Sequence, residues 1–220
     1  MPGEKILVVG GSRGIGRAIA EAVSGRAVVW ARSLGIDACD PESVRGAARA
    51  FLEAHGAPYG LIHCAGDFEE APLLATDEAS WERLLRSNLL SAVHVARALL
   101  PAMCAAGKGR VVLFGAAGVD RRRAMTRAPA YFAAKAALAQ VARSLAAEVA
   151  GSGVTVNMVS PGLIAHGHSH RESQERLASR VPSGRLGTPG DVARLVLWLL
   201  DERNDYVTGE DFTVDGGLQL

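Results

Sequence analysis

The sequence predicts an α/β fold built as a doubly wound parallel sheet with helices on both faces, and three observations support it. Strand-like apolar runs alternate with helical patterns along the chain. The runs are continuous rather than alternating, as in Ile6-Leu7-Val8-Val9, which fits strands buried on both faces. A glycine-rich turn, Gly10 to Gly16, joins the first run to the first helical pattern. At 220 residues the chain has the length of one domain, 1–220, with a substantial core.

The elements follow in order. Strand 6–9 leads to a helix over about 14–24, then to strand 27–30. Residues 33–40 read as a short third strand around Ile36. A parallel crossover needs a dozen or more residues, so the crossover helix before that strand is missing or very short. Helix 41–55 precedes strand 59–64, and a long helix runs over about 80–105. Strand 110–114, helix 129–150 and strand 154–159 come next, the last ending at Pro161-Gly162. The polar stretch 163–185 reads as a mobile substrate lid, and helix 189–201 and strand 211–214 close the chain.

Composition narrows the function. A net charge of +1 gives no global drive toward nucleic acid or anionic lipid. No uninterrupted apolar run approaches the ~18 residues of a membrane span. Residues 1–5 run straight into a strand without a signal-peptide pattern. Cys39, Cys64 and Cys104 are odd in number and lack metal-ligand spacing, which reads as reduced thiols in a cytoplasmic protein.

Gly10, Ser12, Arg13, Gly14, Ile15 and Gly16 form a Gly-x-x-x-Gly-x-Gly turn between strand and helix. Gly10 permits a tight turn, while Gly14 and Gly16 let backbone and helix approach a pyrophosphate. Free amides and the positive dipole end at the helix start would hold it. This is a Rossmann-type dinucleotide site in its expected context. An NAD site wants a carboxylate at the end of the second strand, but that strand ends Trp30-Ala31-Arg32-Ser33. Arg32 suits a 2′-phosphate instead, and Arg13 could clamp the same group. NADP(H) is therefore expected, with NAD(H) the less favoured coenzyme.

Over nearly its whole length the chain resembles the short-chain dehydrogenase/reductase family, in the flavour of 3-oxoacyl-[acyl-carrier-protein] reductases. The resemblance rests on the glycine turn and on His63-Cys64-Ala65-Gly66, where the family has Asn-Asn-Ala-Gly. It rests also on Ser87-Asn88-Leu89, Tyr131-Phe132-Ala133-Ala134-Lys135, Asn157 through Pro161-Gly162, and Val214-Asp215-Gly216-Gly217. It implies cofactor contacts from Asp37, Cys64, Ala65, Gly66, Pro161, Gly162 and Ile164. It implies too that Asn88 helps hold a relay water, and that Lys135 clamps the nicotinamide ribose.

Tyr131 and Lys135 are four apart, so they share a helix face. Reduction of a carbonyl leaves an alkoxide, which a tyrosine hydroxyl can protonate. A neighbouring ammonium, together with oxidised nicotinamide, would favour the phenolate and make the hydroxyl more acidic. The sequence departs from the family at Ala116, which takes the place of the catalytic Ser. That hydroxyl would polarise the substrate carbonyl, and losing one such donor costs about 100- to 1000-fold in rate. Three readings stay open. The substrate is activated; Asp120, Thr126 or a water substitutes; or the protein binds cofactor with weak catalysis. Dihydropteridine reductases also carry Ala there and lack the same crossover helix, which makes them the alternative resemblance.

His166 stands where the family often has Thr and could face the pyrophosphate. With His168 and His170 it alternates in a polar loop, but no clear acidic or cysteine ligands lie nearby, so no metal is expected. Arg121, Arg122 and Arg123, with Arg127, form either an exposed loop or a docking patch for an acyl carrier protein or a coenzyme A phosphate. The helices over 80–105 and 129–150 are apolar on more than one side, so core or a partner buries them; the resemblance implies that they pair between copies, in a homo-oligomer, dimer or tetramer, with the tetramer expected first. The expected activity is NADP(H)-dependent reduction of an oxoacyl thioester or small ketone.

Overall fold

A computed structural model describes residues 4–121, 124–165 and 171–220. Six strands form one parallel sheet: β1 (Ile6–Val9), β2 (Ala27–Trp30), β3 (Gly60–His63), β4 (Gly109–Phe114), β5 (Val154–Pro161) and β6 (Asp211–Val214). Their spatial order is β2-β1-β3-β4-β5-β6, so the winding reverses between β1 and β3. That reversal opens a crevice at the carboxyl ends of the strands, the place where doubly wound sheets bind ligands.

Alternation along each strand feeds two cores. Leu7, Val9, Leu61, Val111, Leu113 and Val156 point to one face. There they meet α2 (Pro41–His55), α4 (Ser91–Ala105) and α5 (Pro129–Val149). Ile6, Val8, Ile62, Val112 and Val159 point to the other, under α1 (Gly14–Ala22) and α7 (Pro189–Leu199). Both faces are covered, which is why the strands read as unbroken apolar runs.

Two expectations need correction. Residues 33–40 form no strand. Arg32–Leu34 make one 3-10 turn closed by Gly35 at φ +80, and the Ile36 amide donates back to the Ala31 carbonyl at 3.1 Å. Both the crossover helix and the strand it would have led to are absent from this stretch, and the chain goes straight to Asp40, whose carboxylate caps α2 at the Glu42 amide. The long helix over 80–105 is also interrupted. It runs as α3 (Glu78–Leu85), a π turn (Arg86–Leu90) and then α4. This helix has the length and hydropathy of a membrane span, yet Val95, Leu99 and Met103 lie in the core, so packing accounts for its apolar character. Part of the stretch 163–185 is helical as α6 (Arg171–Ala178); His166, His168 and His170 lie outside the described residues.

Candidate active site

The turn after β1 is shaped by contacts that only glycine allows. Gly10 has φ +82, and a Cβ there would fall 2.7 Å from the Ala65 nitrogen. A Cβ at Gly16 would fall 2.4 Å from the Gly10 carbonyl oxygen. The Gly10 amide donates to the Trp30 carbonyl at 2.8 Å, tying the turn to β2. Arg13 is the N-cap of α1 but offers no side-chain cap, so the first helical amides open toward the crevice. Ser12, Arg13 and Gly14 are exposed, Ile15 is half-buried, and Gly16 is buried. This cradle of backbone donors and small residues fits a dinucleotide pyrophosphate.

The loop leaving β3 packs against that turn and carries Cys64, Ala65 and Gly66. Its position is fixed by the π turn of the long helix. Asn88 there donates through Nδ2 to the Asp67 carbonyl at 2.8 Å and to the Leu84 carbonyl at 3.1 Å, and the Asp67 amide donates to Ser87 Oγ at 3.3 Å. Asn88 Oδ1 is buried without a partner. A Cβ on Gly66 would lie 2.4 Å from that oxygen and 3.6 Å from Lys135 Nζ, so Gly66, Asn88 and Lys135 meet at one point.

Tyr131 and Lys135 project from the first turns of α5 toward the crevice. Lys135 is buried, and its Nζ donates to the Phe114 carbonyl at 2.7 Å and lies 5.7 Å from the Tyr131 ring centre. Burial holds this ammonium down to about 8. The expected acidification of Tyr131 by its lysine is not found among the chain's own groups. Burial pushes the phenol up to about 12, because the hydroxyl is desolvated while Lys135 is directed to a carbonyl. Phe68 and Phe132 stand edge-on to the Tyr131 ring, at 5.1 and 5.3 Å.

Ala116 is buried at the exit of β4, and its carbonyl accepts from the Val119 amide. Neither named substitute fills the gap by its contacts. The Asp120 side chain is 67% exposed and lies 4.0 Å from Arg121, and Thr126 is exposed. A buried hydroxyl the sequence reading missed is Ser160, which a Cβ on Gly115, next to Ala116, would meet at 2.2 Å. Ser160 donates to Asp211 at 2.6 Å. Pro161 and Gly162 close β5, with the Gly162 amide on the Val214 carbonyl at 2.9 Å, and Ile164 bridges to Gly187. Asp37 lies in the connection after β2, where its carboxylate accepts from the Cys39 amide at 2.9 Å.

The arginine patch is thinner than its sequence suggests. Arg127 is paired with Glu70 at 2.5 Å, linking the loops on either side of Tyr131, and Arg121 faces Asp120. Arg122 and Arg123 lie outside the described residues. Among the described residues no group of acidic, His and Cys side chains could hold a metal, and all three cysteines are free. A cavity of about 300 Å³ lies at the opposite, amino-terminal end of the strands, by Tyr59 and Arg110, away from Tyr131.

Comparison with known proteins places this geometry. A family model described as enoyl-(acyl carrier protein) reductase matches residues 15–219. The chain belongs to the short-chain dehydrogenase/reductase family. Among its relatives within that oxidoreductase family, 3-oxoacyl-[acyl-carrier-protein] reductase FabG of Haemophilus influenzae is 32% identical over 244 aligned positions, covering 100% of both chains. The 2-(S)-hydroxypropyl-CoM dehydrogenase 3 of Xanthobacter autotrophicus is 31% identical, over 98% of this chain and 96% of that one. Among solved structures, the TT0495 protein from Thermus thermophilus matches with a TM-score of 0.87 and 34% identity, over 100% of this chain and 99% of that one. Within this short-chain dehydrogenase/reductase, sequence reading missed Phe68 against the Tyr131 ring, Asp67 beside Arg32, and Ser160. Only the last two carried a signal, a charge or hydroxyl next to a motif residue.

Proposed function

We propose that the protein is an NADP(H)-dependent carbonyl reductase in which Tyr131 is the proton donor. The observation that carries this reading is the Tyr131–Lys135 pair on α5, set beside Asn88 and Gly66, with Ala65 of the same loop packed on Gly10 of the glycine turn. Bound in the crevice, the dinucleotide would supply hydride to the carbonyl carbon. Gly10, Ser12, Gly14, Ile15 and Gly16 would hold its pyrophosphate, Lys135 its nicotinamide ribose, and Pro161, Gly162 and Ile164 would border the nicotinamide. Arg13, whose side chain makes no ion pair among the described residues, and Arg32 would meet a 2′-phosphate.

The raised pKa of Tyr131 suits this direction of reaction. A phenol titrating near 12 stays protonated at neutral pH and can give its proton to an alkoxide oxygen. Asn88 Oδ1, buried and unpartnered, and Lys135 Nζ then offer one acceptor and further donors behind the Tyr131 hydroxyl, suited to a relay water. The substrate is an oxoacyl thioester or small ketone, and both reductase and dehydrogenase relatives bear on it. The exposed apolar groups Leu90, Leu197 and Trp198 support assembly with further copies of the chain.

Ala116 favours a second reading, an activated substrate of the quinonoid pterin type that needs no serine hydroxyl. NADPH oxidation against oxoacyl thioesters, diketones, simple ketones and quinonoid pterins separates the two. Turnover of thioesters supports the first, and turnover of pterins alone supports the second. Failure of every substrate while NADPH still binds removes both. Ala116→Ser should raise kcat/KM on simple ketones by about 10- to 100-fold, since it restores a donor to the carbonyl oxygen. An unchanged value in steady-state assays would mean that another group already fills that role.

A further inference from the structure

Arg32 leaves β2 and Asp67 leaves β3, the two strands that flank β1. Their side chains meet at 3.2 Å, so an ion pair crosses the mouth of the crevice above the glycine turn. Among the described residues, no other cation approaches Asp67 so closely. Arg83 is 3.9 Å away and is already paired with Glu69. The Asp67 backbone is clamped by Ser87 and Asn88, so its carboxylate is held in place while Arg32, 65% exposed, is free to move. Asp37 and Asp67 both act on the Cys39 thiol together with Arg32, which groups two carboxylates with one guanidinium.

A dianionic 2′-phosphate reaching for Arg32 would enter beside that fixed carboxylate. The repulsion opposes what the arginine provides, and the ion pair must open. A ribose 2′-hydroxyl has the opposite preference, since a carboxylate accepts its hydrogen bond. We propose that Asp67 is a specificity-determining residue that shifts the coenzyme preference from NADP(H) toward NAD(H), from a strand exit where the family's β2-terminal acid does not lie. The inference rests on the reading that the glycine turn binds a dinucleotide.

Calorimetric titration of NADP⁺ and NAD⁺ into wild type, Asp67→Asn, Arg32→Ala and the double variant tests it without any turnover. Asp67→Asn should raise the ratio Kd(NAD⁺)/Kd(NADP⁺) at least tenfold. Arg32→Ala should lower it, and adding Asp67→Asn to Arg32→Ala should raise it again, because the carboxylate repels the phosphate whether or not the arginine is there. A ratio in Asp67→Asn within twofold of wild type, with Arg32→Ala still lowering it, overturns the role of Asp67 and leaves the dinucleotide site standing. Absence of binding by both coenzymes to wild type overturns the site and the role together. The amide preserves the main-chain bonds to Ser87 and Asn88, and an unchanged melting temperature verifies that the variant folds.

Discussion

Tyr131→Phe is expected to lower kcat by about 100- to 10,000-fold while leaving coenzyme Kd within about twofold. The variant removes one oxygen and keeps the ring that Phe68 and Phe132 face. No described residue hydrogen-bonds that hydroxyl, so nothing in the fold is left unpaired, and the melting temperature should not fall. Single-turnover kinetics with preloaded NADPH, beside a coenzyme titration by fluorescence, measure the two quantities separately. A loss of less than tenfold would place the proton on another group and end the role assigned to Tyr131.

Acidification is expected to destabilise the protein through His63. This side chain ends β3 inside the core, 1% exposed, with Nε2 lacking a partner. Burial, reinforced by the nearby Lys135 ammonium, pulls its pKa from 6.5 down to about 3. The unfolded chain therefore binds the proton first. Stability rises with pH between about 3 and 6.5 and is lost as pH falls through that window. Each pH unit within it costs about 1.4 kcal/mol, so roughly 3 kcal/mol should go between pH 6.5 and 4.5. His63→Asn, the residue the family motif carries there, should flatten that limb. Urea midpoints across the range measure it, and parallel curves for the two proteins would show that His63 does not titrate in the core.

Lys135 acts in the alkaline range with the same sign. Its pKa, lowered by burial to about 8 from 10.5, makes the folded state shed a proton that the unfolded chain keeps. Its burial cost is thus relieved as pH rises from about 8 to 10.5. A buried ammonium held for the site at a cost to the fold is consistent with a functional role.

Local chemistry was legible in the sequence and long-range geometry was not. The glycine turn announced itself because strand, turn and helix are contiguous, and Tyr131 and Lys135 because a helix places residues four apart on one face. Ile36 misled because a short apolar stretch looks the same with or without a ladder partner. Here Gly35 turns the chain before any strand forms. The Arg32–Asp67 and Arg127–Glu70 pairs join residues 35 and 57 positions apart, so the first exists only once β2, β1 and β3 are in order and the second only once β4 has joined β3. Spacing shows the lysine beside Tyr131 and not the depth of burial, and among the chain's own groups burial is the larger effect on the phenol.

The strand order also shapes how the chain is made. β1 is an interior strand from the start, and its outer neighbour β2 follows within about twenty residues, but its inner neighbour β3 begins only at Gly60. During synthesis from the N-terminus, the apolar ribbon Ile6–Val9 must wait with one edge unpaired until some fifty further residues have emerged. The shortened link after β2 cuts that wait, because the ribosome delivers α2 and β3 without first spinning out a helix and a strand.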